Sequence, residues 1–191
     1  MAGSRTSVVL IITGAPASGK TTIGRHLAAD LGFPFINKDD IKEILFDTIG
    51  WKDRAWSRHL ATACYGLLFY FVRQQLAIGG SIAVESNFDR ERSTPEFKAV
   101  HACYPFHAVQ VLCYAEGATL MQRFVERDRS GARHPGHVDP DAYLDIQAVL
   151  AKGRIEPLDL IGPVIEVDTT DPETVSYEEI LEDVRRAIRS G

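Results

Sequence analysis

The segment that most constrains the fold begins with an apolar, β-branched run, Val8–Ile12, and ends in a helical pattern that starts near Gly19. Between them lies a loop with the spacing G-x-x-x-x-G-K-T. Its glycines let successive backbone N–H groups point at one anion, and the following helix presents its N-terminus to that anion. A strand, this loop and a helix in succession are typical of a phosphate-binding loop. We therefore predict that the chain binds a nucleoside triphosphate.

The chemistry of the loop predicts a role for each of its last residues. Lys20 can reach the β- and γ-phosphates, and the Thr21 hydroxyl can ligate Mg²⁺, so ATP and Mg²⁺ are the expected cofactors. We expect the following residues to contact the nucleotide: Gly14, Ala15, Pro16, Ala17, Ser18, Gly19, Lys20, Thr21 and Thr22.

Apolar runs and helical patterns alternate along the chain, which predicts a doubly wound α/β fold with a parallel sheet. The long helix should run from Arg54 to Ile78, a further helix should start at Thr94, and Ser176 should cap the last one. The predicted strands are Val8–Thr13, Phe33–Asn37, Ser81–Asn87, His107–Tyr114 and Val164–Val167.

Length and charge narrow the class of protein. The 191 residues predict one domain spanning 1–191, and the formal charge of −5 argues against a protein that coats nucleic acid. The apolar run near the N-terminus is too short to cross a membrane, so we expect a cytoplasmic protein without a membrane partner. Cys64, Cys103 and Cys113 lack C-x-x-C spacing and are predicted to be small buried side chains.

Ligands of an open parallel sheet bind beyond the carboxyl ends of its strands. The second predicted strand leads into Asp39-Asp40, where a carboxylate can accept the proton of an attacking hydroxyl. We predict that Asp39 is this general base and that the other aspartate caps a helix starting at Ile41; the alternative is that both only cap. Lys42 could hold an anionic group of the acceptor or be a solvated helix lysine.

The third predicted strand ends at Glu85, where a carboxylate can bind Mg²⁺ directly or through water. Asn87 follows at the strand tip and could hydrogen-bond the acceptor; a plain turn also explains it.

Arginines in the segment of about residues 120–140 predict a lid that closes over ATP. Arg123 and Arg127 are four residues apart and share a helix face, and Arg133 follows in a glycine- and proline-rich loop. Guanidinium groups suit phosphate oxygens, although acidic neighbours on a solvated helix could pair with them instead. In His134-Pro135-Gly136-His137, a hinge or an acceptor contact is a better interpretation than a metal site.

With these positions in place, the chain resembles the P-loop kinases of the adenylate-kinase-like fold. Within them it resembles the kinase domain of phage polynucleotide kinase and, more loosely, chloramphenicol phosphotransferase, gluconate kinase and zeta toxin. The similarity runs from about Val8 to Leu150 through G-A-P-A-S-G-K-T-T, N-K-D-D-I-K, E-S-N and the arginine pair.

This resemblance implies the sheet order 2-3-1-4-5 and an adenine-binding loop near Asp168-Thr169-Thr170. It also implies Asp39 as general base and Lys42 as a contact for a substrate phosphate, a position where the polynucleotide kinases have arginine. Glu85 stands where they have aspartate.

Three functions follow from these observations. We favour an ATP-dependent kinase that phosphorylates a hydroxyl of a small metabolite or antibiotic. A 5′-hydroxyl polynucleotide kinase is the first alternative, and a regulatory NTPase that transfers no phosphate is the second. The sequence leaves the acceptor and the oligomeric state open.

Overall fold

The apolar run before the phosphate-binding loop forms the central strand of a five-stranded parallel sheet. The computed structural model describes residues 6–131 and 133–191, except for the side chains of 139–142, 144 and 145. The strands are β1 (Val8–Gly14), β2 (Phe35–Asn37), β3 (Ile82–Glu85), β4 (His107–Tyr114) and β5 (Val164–Asp168). Their order is β2-β3-β1-β4-β5, all parallel, which confirms the predicted sheet.

Helices cover both faces of this sheet. They are α1 (Lys20–Leu31), α2 (Lys38–Ile49), α3 (Arg54–Ala77), α4 (Arg90–Cys103), α5 (Gly117–Arg129), α6 (Asp139–Lys152) and α7 (Tyr177–Arg189), with short 3₁₀ turns at Pro135–His137 and Pro172–Thr174. The predicted long helix is confirmed as α3, and the Ser176 side chain caps α7 as predicted.

Alternate side chains of β1 enter two different cores, which explains why the strand is apolar throughout. Leu10 and Ile12 pack with residues of α1 and α7, whereas Val9 and Ile11 pack with residues of α3 and α4. A third apolar cluster, which includes Leu120, lies where α5 and α6 approach the phosphate-binding loop. Ala15 of the loop is part of this third cluster, so residues of α5 and α6 pack against the loop.

Two predicted helix starts are wrong, and both errors come from a missed cap. α4 begins at Arg90, not at Thr94, because the Asp89 carboxylate accepts a hydrogen bond from the Arg92 N–H and caps the helix; Pro95 lies inside it. α2 begins at Lys38 rather than Ile41 because the side chain of Asn37 caps it.

Asn37 is the residue that caps α2. Its side-chain oxygen accepts hydrogen bonds from the N–H groups of Asp39 at 2.6 Å and Asp40 at 3.3 Å. Neither aspartate caps a helix, so both carboxylates of the pair serve other contacts. A further correction concerns Cys103, which is exposed at the end of α4, whereas Cys64 and Cys113 are buried as predicted.

None of the helices in the described part of the chain is both long and apolar enough to cross a membrane.

Candidate active site

The phosphate-binding loop has the backbone of an anion cradle. Gly14 has φ +155°, and a Cβ there would lie 2.2 Å from the Cys113 carbonyl oxygen, so only glycine fits. Ala17 and Gly19 have left-handed φ values of 65° and 73°, which curl the loop. The Ser18 hydroxyl is buried and has no hydrogen-bond partner among the described residues. A curled loop with an unsatisfied polar group suits a bound phosphate.

Lys20, Thr21 and Glu85 meet at the carboxyl ends of β1 and β3. The Thr21 hydroxyl donates to the Glu85 carboxylate at 2.8 Å, and the Lys20 ammonium lies 3.8 Å from the other Glu85 oxygen. The Asn37 side-chain amide also donates to Glu85, so one side chain both caps α2 and orients this carboxylate. Hydroxyl and carboxylate oxygens are the ligands that Mg²⁺ prefers, so the residues present fit the expected ion.

Burial governs the protonation of this cluster. It lowers the pKa of the Lys20 ammonium, and the Glu85 charge opposes that shift. Burial likewise raises the pKa of the Glu85 carboxyl, against the effects of Lys20 and the Thr21 hydrogen bond. Burial thus makes the charged forms of Lys20 and Glu85 unfavourable in free energy, and a bound polyphosphate and cation would reduce this penalty.

The two aspartates after β2 face different surroundings. Asp39 contacts the Lys38 ammonium at 2.7 Å and the Arg133 guanidinium at 2.8 Å, whereas Asp40 pairs with Arg25 at 2.6 Å on the surface. Burial alone would raise the pKa of the Asp39 carboxyl, but Lys38 and Arg133 outweigh it and hold that pKa well below its ordinary value. The two cations therefore favour the charged form of Asp39, which lines the cavity described below.

The loop that contains Arg133 and His137, which the sequence predicts to be a lid, docks on α2 through polar contacts. One Arg133 nitrogen lies 3.1 Å from His137 Nδ1, and His137 Nε2 lies 2.8 Å from the Glu43 carboxylate. A guanidinium only donates, so Nδ1 accepts and Nε2 carries the proton that His137 shares with Glu43. Burial and the Arg133 charge lower the His137 pKa to about 3, consistent with a neutral ring.

Ring stacking and close packing also hold the same loop against α2. The His134 ring stacks on Phe46 with centroids 5.1 Å apart, and its Nε2 lies 3.1 Å from the Asp47 carboxylate. Gly136 lies so close to α2 that a Cβ would be 2.7 Å from the Phe46 ring and 2.9 Å from Trp51. Among the described residues, no group of three or more His, Cys, Asp or Glu could hold a metal.

A cavity of about 150 Å³ lies between the phosphate-binding loop, α2, α3 and the lid. It brings together Lys20 of the loop, the predicted base Asp39, and the lid residues Arg127 and Arg133. Asn87 lines it as well, from the tip of β3. Its lining residues are Pro16, Lys20, Lys38, Asp39, Lys42, Arg54, Arg58, Ala61, Asn87, Phe124, Arg127, Arg133, His137 and Ile146.

Lys42 is buried in the wall of this cavity, not solvated. Its ammonium donates to the Ser57 hydroxyl at 2.7 Å and lies 5.4 Å from the centre of the Phe46 ring. Burial, together with the Lys38 charge, lowers its pKa to about 8.

The two predicted lid arginines occupy different places. Arg127 lines the cavity with its guanidinium 5.3 Å from the centre of the Phe124 ring. Arg123 donates to the carbonyl oxygens of Thr169 at 2.7 Å and Thr170 at 3.1 Å, in the loop after β5. The structure thus joins α5 to the loop where the resemblance predicts adenine contacts.

Sequence reasoning gave no role to Asn37, which orients Glu85 in the structure. A helix-cap pattern, an asparagine directly before a helical run, would have identified Asn37. It assigned Lys38 only to a cluster of basic residues that could contact phosphates of a nucleic acid, whereas the structure pairs Lys38 with Asp39. Arg54 and Arg58, which the sequence places in the same basic cluster as Lys38 and Lys42, also line the cavity.

Comparisons with known proteins identify the family and the fold of the chain. Residues 9–152 match a family described as AAA domain. A solved structure from Chloroflexus aurantiacus j-10-fl, provisionally described as a kinase, is 38% identical, with a TM-score of 0.90 over 96% of this chain and 98% of that chain. The sugar kinase of Janibacter sp. HTCC2649 is 18% identical, with a TM-score of 0.59 over 96% and 95%, and shares the fold.

A curated relative matches over a shorter stretch. The shikimate kinase of Paracidovorax citrulli (strain AAC00-1) is 54% identical over 43 residues, which span 22% of this chain and 22% of that protein. Together these matches confirm the predicted resemblance to the P-loop kinases.

Proposed function

The chain belongs to the AAA-domain family and has the fold of a P-loop kinase, and we propose that it transfers the γ-phosphate of ATP to a hydroxyl of a small molecule. One observation carries the proposal: the Asp39 carboxylate and the Lys20 ammonium line the same cavity at the carboxyl edge of the sheet. A protein that only binds or hydrolyses a nucleotide has no need for a carboxylate placed as an acceptor base in the cavity beside the phosphate-binding lysine.

On the donor side, the loop N–H groups and Lys20 bind the phosphates of ATP, which enters as a substrate. Thr21 and Glu85 are the residues that would hold Mg²⁺, which supplies charge neutralisation at the phosphate oxygens when bound. Asn37 keeps the Glu85 carboxylate oriented toward Thr21 through its own hydrogen bond.

On the acceptor side, Asp39 acts as the general base. Its low pKa keeps the carboxylate ionised, so it can accept a hydrogen bond from the acceptor hydroxyl and align an oxygen lone pair. Phosphoryl transfer passes through a loose transition state, so the hydroxyl loses its proton late and does not need a strong base. Lys38 holds the carboxylate in place from the neighbouring position.

The lid excludes water and supplies positive charge. Arg127 enters the cavity from the last turn of α5 and Arg133 from the loop after it, where both are suited to stabilise equatorial phosphate oxygens. The Gly136 and His137 contacts with α2 hold this segment over the cavity. Exclusion of water favours transfer to the acceptor over hydrolysis.

The experiment that tests this function is a screen for acceptor-dependent ADP release. The panel contains hydroxylated metabolites, hydroxylated antibiotics and 5′-hydroxyl oligonucleotides, and ³¹P NMR identifies the phosphorylated product. We expect one class of small molecule to stimulate ADP release and to carry the phosphate. Hydrolysis that no panel member stimulates would instead indicate a regulatory NTPase.

A further inference from the structure

We propose that the outward face of α3 is a docking surface for a second copy of this chain, and that the two α3 helices pack antiparallel about a twofold axis. The inference is independent of the proposed function because it uses none of the residues that line the candidate active site. It concerns the second half of α3, which leads toward β3.

This half of α3 is apolar on two opposite sides. Its inward side carries Leu68, Val72 and Leu76, which are buried in one of the two cores beside the sheet. Its outward side has further apolar residues at intervals of three or four, which places them on one face of the helix. We call this face the α3 stripe, and all of its members are exposed: Ala63, Leu67, Tyr70, Phe71, Gln74, Ala77 and Ile78.

The α3 stripe is unusual for a surface in contact with water. It has no charged member, and its four large apolar side chains are substantially exposed: Leu67 38%, Tyr70 53%, Phe71 40% and Ile78 79%. A surface helix normally turns charged and polar residues away from its core, and a helix that is apolar on opposite sides is normally covered on both. We therefore expect another protein surface to cover this face.

The exposed area agrees with the requirement of a dimer. If a large apolar side chain has a surface of about 150–200 Å², the four exposed ones offer roughly 300–400 Å² per copy. A standard interface buries about 800 Å² per partner, of which roughly 60% is apolar. These four side chains thus supply most of the apolar area that a stable dimer needs, and the smaller members of the stripe add to it.

A second copy is a suitable occupant because the stripe is complementary to itself. When the twofold axis passes between Tyr70 and Phe71, each Tyr70 lies opposite the partner's Phe71. The small Ala63 at one end of the stripe then lies opposite the partner's Ile78 at the other end. Aromatic pairs and a large side chain opposite a small one both favour close packing.

The distribution of charge favours the same occupant. Two copies with a formal charge of −5 repel each other, and a face without charge is where they can approach most closely. Charged groups lie at the border of the stripe, where Arg73 of α3 is 3.9 Å from Glu96 of α4. An apolar centre with a polar border is the usual anatomy of a protein interface.

Sedimentation velocity of the full chain at increasing concentration tests the dimer. We expect the wild type to be dimeric in the micromolar range. Tyr70→Glu and Phe71→Glu should each weaken the dimer by at least about 100-fold, because each places two carboxylates at the centre of a twofold interface. Ile44→Glu is the matched control: Ile44 is 61% exposed on α2, outside the stripe, and its variant should stay dimeric.

Disulfide cross-linking tests the antiparallel arrangement with smaller changes. The background is Cys103→Ser, since Cys103 is exposed whereas the other two cysteines are buried. On oxidation with copper phenanthroline, Tyr70→Cys should cross-link to its own copy because it lies next to the axis. Ile78→Cys alone should not, because its two copies would lie roughly 22 Å apart along the helices. A mixture of Ala63→Cys and Ile78→Cys should give a cross-linked heterodimer.

Several results would overturn the inference. A wild type that stays monomeric at submillimolar concentration would do so, and a dimer that persists in both glutamate variants would place the interface elsewhere. Equal dissociation of Ile44→Glu would indicate non-specific apolar association. If circular dichroism shows that the glutamate variants do not fold, the cross-linking decides. Cross-links in Tyr70→Cys and in the mixture, but not in Ile78→Cys alone, support the proposed dimer, and any other pattern refutes it.

Discussion

The Asp39 carboxylate and the Arg133 guanidinium form an ion pair at 2.8 Å although 94 residues separate them in sequence. Arg133 belongs to the predicted lid loop and Asp39 to the first turn of α2, so the pair joins two walls of the cavity. If the loop closes over ATP as we propose, this contact couples its closure to the orientation of the proposed base.

Asp39→Asn should slow phosphoryl transfer by orders of magnitude while leaving nucleotide binding intact. The amide keeps the shape of the side chain but cannot take the hydroxyl proton, and the loss of a general base costs about 10²- to 10⁴-fold in kcat. Single-turnover transfer to the identified acceptor measures this, with ADP affinity measured in parallel.

Asp40→Asn is the matched control for this prediction. Asp40 is the adjacent aspartate, but it pairs with Arg25 on the surface, so its variant should keep near-normal turnover. If both variants lose kcat to the same extent, Asp39 is not the general base.

Glu85→Gln should raise the Mg²⁺ concentration required for activity. The amide can still hydrogen-bond Thr21, but it removes the negative charge that would orient and attract the ion. Loss of such a partner typically weakens metal affinity about 10- to 100-fold. A Mg²⁺ titration of turnover at saturating ATP checks this, and Glu91→Gln, on the exposed start of α4, is the control. An unchanged Mg²⁺ requirement would exclude Glu85 from the metal site.

Gly136→Ala should undock the lid. A Cβ at this position would lie 2.7 Å from the ring of Phe46, which is 2% exposed and cannot move aside easily. We expect acceptor-dependent turnover to fall by about tenfold or more, since lid closure completes the site, while hydrolysis to water becomes a larger share of ADP release. ADP affinity should change little.

The same substitution elsewhere gives the control. A Cβ at Gly66, in the exposed part of α3, would meet nothing within 4 Å. Gly66→Ala should therefore raise the free energy of unfolding by about 0.5–1 kcal/mol without changing the ratio of acceptor phosphorylation to ATP hydrolysis. If Gly136→Ala behaves like Gly66→Ala, the lid does not depend on this close contact.

Local patterns made the donor half of the site predictable, and tertiary packing made the other half unpredictable. The apolar run of β1 and the glycine spacing of the loop are encoded within about 15 residues, and both appear as expected. The contact of Arg133 with Asp39 depends on Gly136 fitting against Phe46, a packing relationship that no periodicity reveals. The start of α2 was misplaced because Asn37, and not an aspartate, satisfies the first N–H groups.

Acidification should undock the lid through His137. Burial and the Arg133 charge lower its pKa to about 3 in the docked state, from an ordinary value of 6.5. A lowered pKa means that the undocked ring binds protons more strongly, so docking is fully stabilised above pH 6.5 and weakens as the pH falls from 6.5 toward 3. Glu43, Asp39, Lys38 and Lys42 also act on this ring or contact it.

Tryptophan fluorescence reports this transition because Trp51 contacts His134 and Gly136 of the lid loop. In a Trp56→Phe background, Trp51 emission should change as the pH falls below 6.5, at pH values where the fold itself remains intact by circular dichroism. In His137→Gln the change should be lost or strongly reduced. If emission changes with pH in the same way in both proteins, a group other than His137 causes the change.

The affinity for an anionic acceptor should decrease as the pH rises through 8. Burial and Lys38 lower the pKa of Lys42 to about 8, with Arg54 acting in the same direction and Asp39 and Cys64 opposing it. Below this pH the ammonium is charged and attracts the anion; above it, the neutral amine does not. KM should therefore rise by up to about tenfold per pH unit above the pKa, because each bound acceptor then requires uptake of one proton.

Lys42→Arg separates this effect from other titrations. A guanidinium stays charged throughout this range, so the variant should bind the anionic acceptor with a KM that changes little between roughly pH 7 and 9.5. Calorimetry in buffers of different ionisation enthalpy should show proton uptake at pH 8.5 in the wild type and none in the variant. The same steep rise of KM in both proteins would mean that Lys42 does not contact the anion, and that the cavity wall of α2 and α3 selects the acceptor by shape instead of charge.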